Sequence, residues 1–238
     1  MIWNFYQKNL KDTMGDKMKN HLLFVHGISA SKEDRSQMTA RVIEYARKYD
    51  VQSLFMNGNI PLIKAMCWRS LGNFMKDLED LKIHGQRWNE AVEDISEQLS
   101  EYMIQKYDEG DKIVLVGHSM GQPILVSALE LLQKSGVTWV NESNIVTIGG
   151  PMGNPMVRIY FMQMNQRLWA DTLRVKNWYD IWNPEDPICG GSFYERFLAA
   201  KDIKINFPGH PTPFSPMKEH SSYFDSKDFY DTIRHLVA

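Results

Sequence analysis

Residues 112–134 constrain the fold of this chain more than any other stretch. Lys112-Ile113-Val114-Leu115-Val116 is apolar and β-branched, as a strand buried on both faces should be. The run breaks at Gly117-His118-Ser119-Met120-Gly121, and a densely apolar segment from about Gln122 to Lys134 follows with helical character. Pro123 falls in the first turn of that helix, where a missing N–H costs nothing. A strand that turns into a helix across a segment flanked by glycines must bend sharply, with the serine at its apex.

Similar alternation runs along the rest of the chain and predicts an α/β fold with a mostly parallel sheet flanked by helices. His21-Leu22-Leu23-Phe24-Val25 reads as a strand ending before Gly27, followed by a helix with Met38, Val42, Tyr45, Ala46 and Tyr49 on one face. Val51–Phe55 can form a strand, and Leu62–Trp68 either a second one or the true sheet strand, with the turn-rich Asn57-Gly58-Asn59 between them. Trp88, Ala91, Val92, Ile95, Leu99, Tyr102 and Met103 mark a long amphipathic helix closed by Asp108-Glu109-Gly110-Asp111. Asn144–Ile148, Thr172–Tyr179 and Ile203–Phe207 are expected strands, and Pro155–Trp169 is an expected helix. Phe229, Ile233, Leu236 and Val237 give a C-terminal helix its apolar face. No internal repeat, low-complexity stretch or linker divides the chain, so a single domain over 1–238 is expected.

Composition narrows the class of function. The 27 Lys+Arg nearly balance 29 Asp+Glu, a net charge of -2 that argues against a nucleic-acid binder with its basic face. No run of about 18 apolar residues exists to span a membrane. The first twenty residues lack the apolar stretch of a secretory signal, and Cys67 and Cys189 read as thiols in a reducing compartment, so the expected location is cytoplasmic. No His, Cys or Asp cluster has metal-ligand spacing, and phosphate-loop and dinucleotide fingerprints are missing, so neither metal nor cofactor is expected.

The chemistry concentrates around Ser119. Gly117–Gly121 matches G-x-S-x-G, which arises by chance in a chain of this length on the order of 5–10% of the time at background Gly and Ser frequencies. Its position between the most strand-like segment and the most buried-looking helix makes it a nucleophile elbow. The helix behind it aims backbone N–H groups and a positive dipole end at the place where an oxyanion would form. A serine hydroxyl needs a base to take its proton, and the base needs an acid to hold its tautomer.

With this elbow the expected chain order is Ser, then Asp or Glu, then His. Ser119, Asp186 and His220 satisfy it. Asp186 lies in the proline-framed loop Asn183-Pro184-Glu185-Asp186-Pro187, at the edge of the sheet where ligand chemistry collects. Asp180, read as a strand-ending acid, and Glu185 are its rivals. His210, in the turn Pro208-Gly209-His210-Pro211, competes with His220. His118 is expected to pack or hydrogen-bond beneath the elbow, His21 to begin a strand, and His84 and His235 to face solvent. The oxyanion donors are expected to be the N–H of Met120 and that of Ile28, with Gly27 the alternative to Ile28 and a candidate for close substrate approach.

These segments resemble the α/β-hydrolase superfamily, in particular compact bacterial lipase- and esterase-like serine hydrolases. The resemblance rests on Leu22–Ile28, Ile113–Gly121, Ile145–Pro151, Asn183–Ile188 and His220–Phe224, and spans residues 21–237. About 20 residues precede the first strand, so the superfamily's usual first two strands are reduced or missing. The resemblance implies a carboxylic-ester hydrolase working through an acyl-enzyme, with Ser119 as nucleophile, His220 as base and Asp186 as its orienter. A small-molecule ester or lipid-like compound would be the substrate. A thioesterase, amidase or acyltransferase on the same triad, or a ligand-binding module without turnover, are the other readings. Met152 and Met156 open the Met- and aromatic-rich stretch 152–169, which is either a cap that contacts substrate or a helix covering the sheet. The stretch 57–85 is a second candidate for shaping the entrance.

Overall fold

In the computed structural model the described residues are 20–26, 64–67, 85–153, 173–184, 186, 189, 200–204, 220 and 222–237. They form six strands: β1 (Asn20–His26), β2 (Lys64–Cys67), β3 (Lys112–His118), β4 (Asn144–Ile148), β5 (Asn177–Trp182) and β6 (Ala200–Lys204). Three helices accompany them: α1 (Gly85–Lys106), α2 (Gly121–Lys134) and α3 (Lys227–Val237). The strands make one parallel sheet in the order β2-β1-β3-β4-β5-β6. The chain order reverses direction across β1 and β3, which are neighbours. In an open parallel sheet, the crevice beyond the carboxyl ends at such a reversal is where ligands collect.

The continuous apolar runs follow from burial on both faces. Leu23, Val25, Ile113, Leu115 and Ile145 pack in one core cluster with Leu99 and Met103 of α1 and with Ile124, Leu125, Ala128 and Leu129 of α2. The alternate positions Leu22, Phe24, Val114, Val116, Val146 and Ile148 join Phe229, Tyr230 and Ile233 of α3 in a second cluster. Side chains on successive strand residues point to opposite faces, so a strand sandwiched between helix layers must be apolar throughout. The helix α2 is buried from Gly121 to Glu130, which accounts for apolar residues all round it.

Three strand positions depart from the sequence expectation or resolve it. Of the two candidates for β2, the strand lies within Leu62–Trp68. Thr172–Tyr179 begins too early: Asn177 pairs with Asn144, so β5 can start only where β4 starts. Leu173 is buried in the core from irregular chain, which explains its misleading apolar signal. Ile203–Phe207 begins too late, since Ala200 to Lys204 align with Trp178 to Trp182. Among the described strands β6 lies at the edge of the sheet, and Lys201, Asp202 and Lys204 are the charged residues that edges carry. A short 3-10 segment at Thr138–Glu142, absent from the sequence reading, buries Trp139 and Val140. The expected helices at 38–49 and 155–169 lie outside the described residues, as does 51–55.

Candidate active site

The turn after β3 has the conformation its composition demands. Ser119 has φ 55, the one non-glycine residue with positive φ among those described. That left-handed backbone brings Cβ close to the carbonyl oxygen and is costly for any residue but glycine, so the surrounding structure must hold it in place. Two backbone bonds hold it: Ser119 N–H donates to the Ile148 carbonyl of β4 at 3.1 Å, and Gln122 N–H donates to the Ser119 carbonyl at 3.0 Å. Gly117 is needed for the close approach of strand and helix. A Cβ there would lie 3.0 Å from the Gly121 oxygen and 3.1 Å from the Gln122 Cα, both backbone atoms that cannot give way. Ser119 itself is 7% exposed, and Met120 after it has helical backbone at the N-cap of α2. Because Val25 pairs with Gly117, the chain leaves β1 beside this turn.

A side-chain bracket fixes the first turn of α2 to the sheet. The Gln122 amide nitrogen donates to Asp180 Oδ1 at 3.2 Å, and its oxygen accepts Met152 N–H at 3.1 Å. Asp180 also accepts the Thr147 hydroxyl at 2.6 Å, and that hydroxyl in turn accepts Trp178 Nε1–H at 3.0 Å. Asp180 does not end its strand as expected; it lies inside β5, paired with Thr147 and Asp202. Its carboxylate is therefore engaged with β4 and α2, beneath the elbow.

Asp186 and His220 come together from the other side. Pro184 cannot donate to a ladder and follows directly after β5 and Asn183, and the loop then closes with Asp186 N–H donating to the Asn183 carbonyl at 3.0 Å. His220 Nδ1 lies 2.8 Å from Asp186 Oδ2, and both side chains are almost wholly buried. An imidazole that donates Nδ1–H to a carboxylate keeps a lone pair on Nε2 in its neutral form. His220 Nε2 is buried with no hydrogen-bond partner among the described residues.

His118 supports this histidine from below. Its Nε2–H donates to the His220 carbonyl at 3.0 Å, and the two rings lie 4.8 Å apart at 31°. Packing and hydrogen bonding beneath the turn is the expected place for this residue. Tyr223, on the 3-10 segment Ser222–Asp225, donates its hydroxyl to Asp186 Oδ2 at 2.8 Å.

Met152 is fully buried in the cluster that faces α1 and α2. Gly27, Ile28, Met156, Glu185 and His210 lie outside the described residues. His21 sits in β1 and His235 is exposed, as expected. Sequence reasoning gave no role to Gln122 or Tyr223. Tyr223 lies three residues after His220, and that proximity was the only available signal. Cys189 is buried and outside any disulfide.

The comparisons agree with this architecture. A lipase-esterase related protein from Clostridium acetobutylicum superposes with TM-score 0.50 at 11% identity, over 92% of this chain and 95% of its own. An S-formylglutathione hydrolase from Agrobacterium tumefaciens does so with TM-score 0.50 at 13% identity, over 93% of this chain and 84% of its own. At those identities the likeness is one of fold, the α/β-hydrolase fold. No curated protein matches the sequence significantly. No helix among the described residues is long and apolar enough to cross a membrane. The family described as putative serine esterase (DUF676) matches residues 16–156, more than half of the chain and the whole of the turn around Ser119, so this serine hydrolase belongs to that family.

Proposed function

We propose that the chain cleaves carboxylic esters of small lipid-like or aromatic compounds through an acyl-enzyme on Ser119, His220 and Asp186. The observation that carries the reading is the left-handed serine at the end of β3, in a fold where a carboxylate holds a buried histidine by Nδ1. His220 Nε2, which has no partner among the described residues, supports it, because it leaves a buried acceptor available to a hydroxyl donor. In the reaction His220 Nε2 takes the Ser119 hydroxyl proton as Oγ attacks the acyl carbon. The same nitrogen returns that proton to the departing alkoxide, which leaves as the alcohol, and a water molecule then repeats the sequence on the acyl-enzyme.

Asp186 holds the tautomer and stabilises the imidazolium. The N–H groups of Met120 and Ile28 are assigned to the oxyanion, each supplying about 3–4 kcal/mol of transition-state stabilisation. Gly27 and Met156 are assigned to the substrate side, with 57–85 and 152–169 shaping the entrance of a single domain, while Met152 itself is held in the core.

The deciding experiment is intact mass after treatment with a fluorophosphonate, followed by peptide mapping, with Ser119→Ala as control. One adduct on Ser119, missing from the variant, is expected, together with a fall in kcat on the order of 10⁶ in Ser119→Ala. A panel of esters, thioesters and amides then identifies the leaving group. A folded wild-type protein that takes no adduct overturns the proposal and leaves a ligand-binding module.

A further inference from the structure

Tyr223 is fully buried, and its hydroxyl bonds to both Asn183 and Asp186 of the acid loop. It donates to Asp186 Oδ2 at 2.8 Å, the oxygen that also receives His220 Nδ1–H at 2.8 Å. It accepts the backbone N–H of Asn183 at 3.0 Å. One phenol thus grips both ends of the Asn183–Asp186 turn from the segment that carries the histidine.

The chain also keeps room for this ring. Gly149, directly after β4, has φ 54, and a Cβ there would lie 2.6 Å from Tyr223 Cε2 and 3.2 Å from Asp186 Oδ2. A glycine is therefore required twice over, by backbone conformation and by the ring beside it. Gly149 N–H donates to the Ile181 carbonyl at 3.0 Å, so the notch is itself fastened to β5.

We propose that Tyr223 is a positioning residue of this hydrolase, setting the orientation of the Asp186 carboxylate and sharing the charge that it presents to His220. The proposal rests on the Ser119, His220 and Asp186 reading. Among the described residues the titratable groups that act on the hydroxyl are Asp186 and Cys189, and the His118 ring lies 6.4 Å from the tyrosine ring and 4.8 Å from that of His220. Burial first, then Cys189 and Asp186, push the Tyr223 hydroxyl well above the usual tyrosine range. It stays a donor at every pH at which a histidine base works. A carboxylate with two side-chain donors on one oxygen has less freedom to rotate away from the imidazole, and less charge to give it.

Tyr223→Phe removes the donor while keeping the ring in the Gly149 notch. The expected result is a fall in kcat of about 10- to 100-fold, the range that a hydrogen bond to a charged group represents, with KM little changed. Labelling by the fluorophosphonate should slow in parallel. The acid limb of kcat/KM should move to higher pH, because a carboxylate relieved of one donor holds the imidazolium more strongly.

Replacing Tyr223 by 3-fluorotyrosine, which keeps the fold and makes the hydroxyl a stronger donor, should move that limb to lower pH. Opposite displacements in the two proteins would establish the role, and a merely structural tyrosine would produce neither. Wild-type kcat and an unmoved pH profile in a folded Tyr223→Phe protein overturn the proposal. If that variant fails to fold, the fluorotyrosine protein decides alone, and an unmoved limb there overturns it. A wild-type protein without an adduct on Ser119 is a different result, since it removes the hydrolase reading itself.

Discussion

Each end of the sheet holds a hydrogen bond between a histidine and an aspartate, buried at one end and part-buried at the other, accompanied by a buried tyrosine. At the carboxyl ends His220 meets Asp186 at 2.8 Å, and at the amino ends His21 meets Asp111 at 2.7 Å. The tyrosines separate them. Tyr223 turns its hydroxyl to the carboxylate, whereas Tyr107 lays its ring 4.8 Å from the His21 ring and receives the edge of Trp139 at 5.5 Å. Asp111 also takes the backbone N–H of Asp108 at 3.2 Å, so it closes the turn that leads from α1 into β3. The amino-end trio staples one helix–strand connection to β1. The carboxyl-end trio lies on the side of the sheet where the chain bends through a left-handed serine. A histidine–carboxylate pair is therefore not a site by itself, and its chemistry depends on what the free face of the imidazole meets.

Substitutions at the two ends can break this distinction. The largest contrast is expected from Asp186→Asn, which should lower kcat on the order of 10⁴ by presenting the wrong tautomer while the protein remains folded. Ester turnover and circular dichroism of the same preparation check it. If Asp180→Asn proves the more crippled of the two, the acid has been assigned to the wrong carboxylate. The mirror substitution, Asp111→Asn, should leave kcat/KM unchanged and cost about 1 kcal/mol of stability through the weakened, part-buried bond. Urea denaturation measures that loss. A drop in turnover like that of Asp186→Asn would mean that the two ends are coupled and the contrast false.

The parts of this architecture legible in the sequence were those written in single residues or short periods. The strands β1, β3 and β4 carry the apolar runs Leu22–Val25, Ile113–Val116 and Ile145–Val146 because side chains on both faces are buried, and the elbow advertises itself by two glycines around a serine. Asp186 and His220 were legible as a chain order that follows Ser119, and the position of the rival Asp180 inside β5 was seen only from the sheet register. The starts of β5 and β6 were not legible, since a strand's first residue is set by its neighbour's ladder rather than by its own composition. Nor was the Tyr223 hydroxyl. Its role depends on a glycine 74 positions earlier and an aspartate 37 earlier, and no local pattern links those three. His21 was read as the opening of a strand, which is correct, but its partner 90 residues away was equally invisible.

The left-handed backbone at Ser119 has a consequence for any selection acting on this chain. Glycine adopts that conformation freely, and relieving it is worth on the order of 1 kcal/mol. Screening for thermal endurance alone would therefore favour Ser119→Gly, a variant with a higher melting temperature than Ser119→Ala and, on the function proposed above, no nucleophile. A library sorted first by heat and only later by turnover would discard the enzyme at its first step. The residue that makes the fold useful is one that the fold, left to itself, would replace.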